Sequence, residues 1–224
     1  MTIAQAHQEF KFRCDKLDAL NYPNFLPEEI DLILNNAQQR IIKQRYGLSN
    51  NKRQSFEETQ KRTEDLKNVT VNAVLTPLAY ASDNIDINAR FLTLPTDHWF
   101  TVQERCNIIC TICGSPLTQL VEVIPTSHSE FSKVIKDPFK QPNDSKVIRL
   151  MEAGRVELVS FCTIVDYRMR YIKQPATVNI TTGVTFDLSE HMHSEIIDLA
   201  VSIALENIEG KRGNTFDKII NTNE

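Results

Sequence analysis

An α+β fold is predicted for this 224-residue chain by three observations. Apolar residues recur at helical spacing in the first 70 residues, the period moves towards two from Val69, and helical spacing returns after Asp187. The expected architecture is an N-terminal helical hairpin, a mainly antiparallel β region, and a C-terminal helix packing back on the first helices. The corresponding parts are a helical part (1–70), a β region with a short helix near 128–136 (71–185), the C-terminal helix (186–209) and a tail (210–224). No Pro/Gly/Ser-rich linker marks these changes of period, so a β insertion between helices is expected rather than two separate beads.

Gln5 to Leu17 reads as a short, weakly amphipathic helix before the breaker Asn21-Tyr22-Pro23-Asn24. Pro27, Glu28 and Glu29 then open a strong helix, because proline suits the first turn and carboxylates favour its positive end. Its stripe is Ile30, Ile33, Leu34, Ala37, Ile41 and Ile42, and Gly47 ends it. After a loop over 48–53, Ser55 and Glu58 stand three apart as a capping box for a polar helix through Leu66.

Val69, Val71, Ala73 and Leu75 alternate with polar residues up to Pro77, which predicts a strand. Ile85 and Ile87, then Phe91, Leu92 and Leu94, continue the β region. Leu94 to Trp99 reads as a turn or a single helical turn, and strands are expected over Phe100–Cys113 and Leu117–Ile124. Ser127 and Glu130 predict a capped short helix carrying Phe131, Val134 and Ile135. Val147–Leu150 and Val156–Val159 form a hairpin about Gly154. In the strand Thr163–Ile172, Val165, Tyr167, Met169 and Tyr171 share one face and Asp166, Arg168 and Arg170 the other. The last helix carries Met192, Ile196, Ala200, Ile203 and Ala204, widened by Ile197, Val201, Leu205 and Ile208. So broad a stripe predicts burial on two sides, against its own domain and against something else.

A net charge of −4 argues against a surface that grips nucleic-acid phosphates throughout. The chain turns polar immediately after Met1, without a charged-then-apolar leader, and no apolar run approaches a membrane span. Five cysteines, an odd number, are expected as free thiols in a reducing cytoplasm.

Cys106, Cys110 and Cys113 have the C-x3-C-x2-C spacing of radical iron–sulfur enzymes, which makes a small zinc- or iron–sulfur-binding protein the alternative reading. Strand periodicity opposes it. Cys106 and Cys110 share a face with Phe100, Val102, Ile108 and Ile112, and Cys113 points to the other. Buried thiols then serve as small hydrophobes. His191 and His193, two apart at a helix start, diverge in the same way, with Asp187 or Ser189 as the cap. His98 beside Asp97 and the run Ser127-His128-Ser129 form no recognisable triad. No P-loop, G-x-S-x-G or G-x-G-x-x-G is present. Catalytic, cofactor-binding and metal residues are all expected to be none, and no enzyme activity is expected.

Charge is unevenly spread. From Gln39 to Lys67 eight basic residues face four acidic ones, whereas Asp187–Glu209 carries six acidic residues and no Lys or Arg. Solvated faces account for much of this, and the sharper expectation is head-to-tail pairing of an acidic and a basic face, which closes into a ring if the rotation permits. Arg168, Arg170 and Lys173 are candidates to face DNA, with a solvated or subunit-facing role preferred.

Four blocks carry a resemblance: "NYPNFLPEEIDLILNNAQQRIIKQRYG" (21–47), "SFEETQKRTEDL" (55–66), "VIPTSHSEFSKVIKDPFKQP" (123–142), and "VELVSFCTIVDYRMRYIKQP" followed by "DLSEHMHSEIIDLAVSIALE" (156–206). Together they resemble the head-to-tail connector (adaptor or ring) proteins of tailed bacteriophages, those of the crAss-like group above all. The resemblance implies a structural virion protein, a twelve-fold homo-oligomeric ring under the portal, assembled in the host cytoplasm. It implies a conduit through which duplex DNA passes without specific binding, and a docking platform for downstream tail or ring proteins. It implies neither cofactor nor membrane contact. The segments 49–53 and 210–224 are candidates to order on docking.

Overall fold

The computed structural model describes residues 1–17, 25–47, 57, 59–78, 81–82, 89–112, 115–152 and 154–208. In chain order the elements are α1 (Ile3–Leu17), α2 (Pro27–Tyr46), α3 (Gln60–Leu66), β1 (Thr70–Leu75), β2 (Ala81–Ser82), β3 (Ala89–Thr93), β4 (His98–Ile112), β5 (Ser115–Pro125), α4 (His128–Lys136), β6 (Lys146–Glu152), β7 (Arg155–Val159), β8 (Thr163–Lys173) and α5 (His193–Ile208). The fold is α+β, as the change of period predicts. The breaker at 21–24, the loop at 48–53, Ser55 and Glu58, Ile85 and Ile87, Cys113 and the tail from 209 lie outside the described residues.

Two compact units form, one of Met1–Val69 with Gln174–Glu224 and one of Thr70–Lys173. In the first, α5 packs on both α1 and α2. Ile196, Ile197, Ala200 and Val201 are wholly buried, and Leu199, Ala204 and Leu205 nearly so. Among the described residues of the stripe Ile203 is half-buried and the rest are buried, so α1 and α2 cover most of both sides. Glu29 fixes the start of α2 by accepting the Leu26 N–H at 2.8 Å. A polar row on α2 then holds the segment that leads from β8 to α5. Asp31 accepts from Ile180 N at 3.0 Å, Asn35 bonds both backbone groups of Val178, and Gln38 donates to Ala176 O. Residues spaced 31, 35 and 38 lie on one helix face, so this row satisfies backbone groups of a segment that joins no sheet.

Ser189 stands at the N-cap of the turn before the last helix but makes no side-chain cap. A 3-10 turn (Glu190–Met192) precedes α5, and the Ser189 hydroxyl donates to Glu64 O at 3.0 Å. Asp187 accepts from Ala176 N at 2.8 Å.

The second unit is an eight-stranded sheet in the order β1-β8-β4-β5-β6-β7-β3-β2. Every pairing is antiparallel except β5–β6, which is parallel and connected through α4. One core runs across a single face and takes in Leu92, Cys106, Ile108, Val121, Val147, Leu158, Tyr167 and Met169. On the other face Phe131 of α4 covers Ala89, Ile148, Leu150 and Val159. Burial on both faces explains the unbroken buried run Val156–Val159 in β7. Gly154 takes φ +81° at the β6–β7 turn, a conformation that favours glycine.

Two local expectations need correction. Ser127 stands at the N-cap of α4 but makes no side-chain cap; its hydroxyl meets that of Ser129 at 3.1 Å. Val165 is 39% exposed instead of sharing the buried face of Tyr167 and Met169. The β4–β8 register jumps from Asn107↔Asp166 to Ile108↔Ile164, so Val165 is the extra residue of a bulge and the alternation changes phase there.

Candidate assembly surfaces

The acidic α5 is largely neutralised within its own unit. Arg13 binds Asp198, Glu9 and the Ser194 hydroxyl. Arg45 reaches Glu195 at 2.7 Å and Asp65 at 3.2 Å, Lys61 lies 3.6 Å from Glu195, and the N-terminal ammonium lies 3.1 Å from Glu190. These pairs use part of the charge on which the expected head-to-tail match of acidic and basic helical faces rests. Within one chain Arg45 and Lys61, of the basic stretch from Gln39 to Lys67, meet Glu195 of α5, because tertiary folding brings α2 and α3 against it.

The histidine cluster separates. His191 Nε2 lies 2.8 Å from Asp65 Oδ1 on α3, while His193 is buried, bonds Leu188 O at 3.2 Å and packs on Phe186. Burial holds the His193 pKa below its ordinary value. Asp97 accepts from the Tyr171 hydroxyl at 2.9 Å, and His98 meets Thr101 Oγ1, also at 2.9 Å. His128 bonds Met151 O rather than either neighbouring serine.

The cysteine run is also redistributed. Cys110 is bonded to Cys162, 52 residues away, with Cα atoms 4.9 Å apart. The expectation of free thiols throughout is thus wrong for this pair. The cause is tertiary: the end of β4 lies beside the turn before β8, a proximity no spacing rule reveals. Cys106 keeps its thiol in the core, and burial pushes its pKa up to about 12, so it behaves as a small hydrophobe. A site using Cys106, Cys110 and Cys113 needs the Cys110 thiolate, which the disulfide occupies. Among the described residues no group of three or more metal-ligating side chains converges.

A row of exposed cationic side chains with a shared geometry lies on the polar face of β1, β8 and β4. Arg168 stands directly opposite Arg105, and Arg170 lies between Asn72 and Gln103. Like charges facing across a ladder repel, and Asp166 relieves this by accepting from Arg168 Nε at 3.0 Å. Burial raises the Asp166 pKa, but the bonds from Arg168 and Asn107 outweigh it and hold the carboxyl below its usual value. Arg170 donates to Asn72 Oδ1 at 3.0 Å. The side chains border a shallow depression of about 230 Å³. Lys173 has the opposite strand parity from Arg168 and Arg170, so the pleat removes it from this row. Arg105 was missed in the sequence, although its phase relative to Cys106 already placed it on the polar face.

No described helix is long and apolar enough to cross a membrane. Among the described residues the chain presents a sheet unit with a cationic row and a helical unit in which Asp198 and Glu195 of α5 are ion-paired. Against known proteins, the family model for phage tail ring protein 3/4 matches residues 1–215. The chain belongs to that family. Two curated proteins of Bacteroides phage crAss001 are similar along most of their length. "Ring protein 4/5" is 24% identical, with 94% of each chain covered. "Ring protein 3" is 26% identical, with 82% of this chain and 86% of the relative covered. Membership of the ring family agrees with the resemblance read from the sequence blocks.

Proposed function

We propose that this chain is a structural subunit of the phage particle, without catalytic, cofactor or metal residues. Copies of it form a twelve-fold ring at the portal–tail junction. The ring contacts the portal protein and downstream tail or ring proteins and lets duplex DNA pass. The observation that carries the reading is the family match over residues 1–215, supported by two ring-protein relatives aligned along most of their own length.

The cationic row suits a surface that touches passing polyanion without holding it. Three exposed arginines are screened at physiological salt, and one is paired to Asp166. A conduit has to let DNA slide, and each neutralised phosphate strengthens binding and steepens its salt dependence. Weak duplex binding without sequence preference is therefore expected, with Arg105, Arg168 and Arg170 as its source.

Imaging of particles carrying a labelled chain tests the reading: the label belongs in a ring between portal and tail. Label elsewhere, or intact infectious particles lacking the chain, overturns it. Sub-micromolar, sequence-selective DNA binding would point to a regulator instead.

A further inference from the structure

Strands β4 and β5 pair only from Arg105↔Glu122 to Ile112↔Ser115. On one side of this ladder they part. β4 runs back along β8 to His98, while β5 turns aside to pair with β6 through Glu122–Pro125. The fork encloses a cleft of about 720 Å³, bordered by Val102, Gln103, Glu104, Val121, Val123 and Arg149. That volume lies in the range of recognition clefts. An ion pair between Glu104 and Arg149, whose side chains are only 10% and 14% exposed, stands at its wall.

The other end of the same pair has the opposite character. The β4–β8 pairing ends at Ile109↔Thr163, and the β5–β6 pairing begins at Glu122. Beyond those points β4 and β5 form a two-stranded ribbon with no neighbouring strand among the described residues. Ser115–Thr118 are exposed on both faces, and Ile109 and Leu117 are 36% and 50% exposed. From Asn107 to Val121 the chain contains no Lys, Arg, Asp or Glu. Edge strands are ordinarily protected by charge or proline, and this ribbon has only Pro116. Pro116 disfavours simple strand extension and leaves side-chain packing as the mode of contact. The Cys110–Cys162 bond anchors the ribbon at its base.

We propose that the β4–β5 pair is the joint between neighbouring subunits: the uncharged ribbon of one copy seats in the fork of the next. The inference rests on the ring reading and specifies its contact. The occupant is a second copy of this chain because both halves of the joint occur on one strand pair, at its opposite ends. An unrelated partner covering the ribbon would leave the fork empty. A contact between two different surfaces of identical subunits is heterologous, which is the type that propagates around a ring.

Cysteines introduced as Gln103→Cys in the cleft and Thr118→Cys on the ribbon test this in assembled particles under oxidation, with the unsubstituted chain as background control. The double variant is expected to give a ladder of multiples of the 25.7 kDa chain, with the 103–118 linked peptide identified by mass spectrometry. Particles containing both single variants are expected to stop at dimers. Normal rings without a 103–118 link, or a link to a protein of different mass, overturn the joint and leave the ring reading standing. Absence of the unsubstituted chain from any ring overturns the ring reading itself. Leu117→Arg gives a second readout: incorporation into particles is lost while the isolated protein's melting temperature is unchanged. Undiminished incorporation counts against the proposal.

Discussion

Arg45 of α2 and Asp65 of α3 are joined 3.2 Å apart, with Asp65 wholly buried and the Arg45 side chain only 7% exposed. Glu195 and His191, from the opposite end of the chain, complete the cluster at 2.7 Å and 2.8 Å. Removing one member strands a charge that water cannot reach. Arg45→Met is expected to cost about 3–5 kcal/mol in urea unfolding. Arg45→Met with Asp65→Leu should cost clearly less than the two single changes added together, which a double-mutant cycle measures. Lys67→Ala, at an exposed Lys67–Glu64 pair, should leave the urea midpoint unmoved.

The disulfide closes a 52-residue separation, and chain entropy alone assigns such a link about 4 kcal/mol. Cys110→Ala should lower the melting temperature of the oxidised protein and abolish its response to a thiol reductant. Cys106→Ser should leave that response intact, because its sulfur takes no part in the bond. An equal reductant response in the Cys110 variant and the parent would contradict this pairing.

Burial lowers the folded-state pKa of His193 and of His98 below the ordinary 6.5. The folded protein then binds fewer protons than the unfolded chain, so the associated stability is fully present above pH 6.5 and lost as pH falls through the folded values. Stability should decline on acidification below that point, before most carboxylates titrate. His193→Gln should flatten part of this slope while the His98 part remains. Unfolding midpoints measured across this window decide it.

Gly154 has φ +81°, and a β-carbon there would meet nothing within 4 Å. Gly154→Ala is therefore expected to cost only the backbone strain, about 1 kcal/mol, without a packing penalty. Thermal unfolding should detect a small shift with unchanged cooperativity. A loss several times larger would show that the β6–β7 turn tolerates no relaxation.

Much of the local structure was legible in the sequence because it depends on neighbours in the chain. Pro27, Glu28 and Glu29 mark the start of α2, the period of two marks β1 and β8, and Gly154 marks the hairpin between β6 and β7. The order of whole blocks was enough to point to the ring family. Tertiary structure alone decided which distant groups meet. The bulge that exposes Val165 is a property of how β8 registers on β4, and periodicity within one strand cannot contain it. Arg105 joins Arg168 only across that ladder, and Cys110 finds Cys162 only where two strand ends coincide. The acidic charge of α5 was plain in the sequence, but its partners Arg13, Arg45 and Lys61 come from helices more than a hundred residues away. Helix and strand preferences act over a few residues, whereas ion pairing, disulfide formation and the fork between β4 and β5 depend on distances set by the whole packed chain.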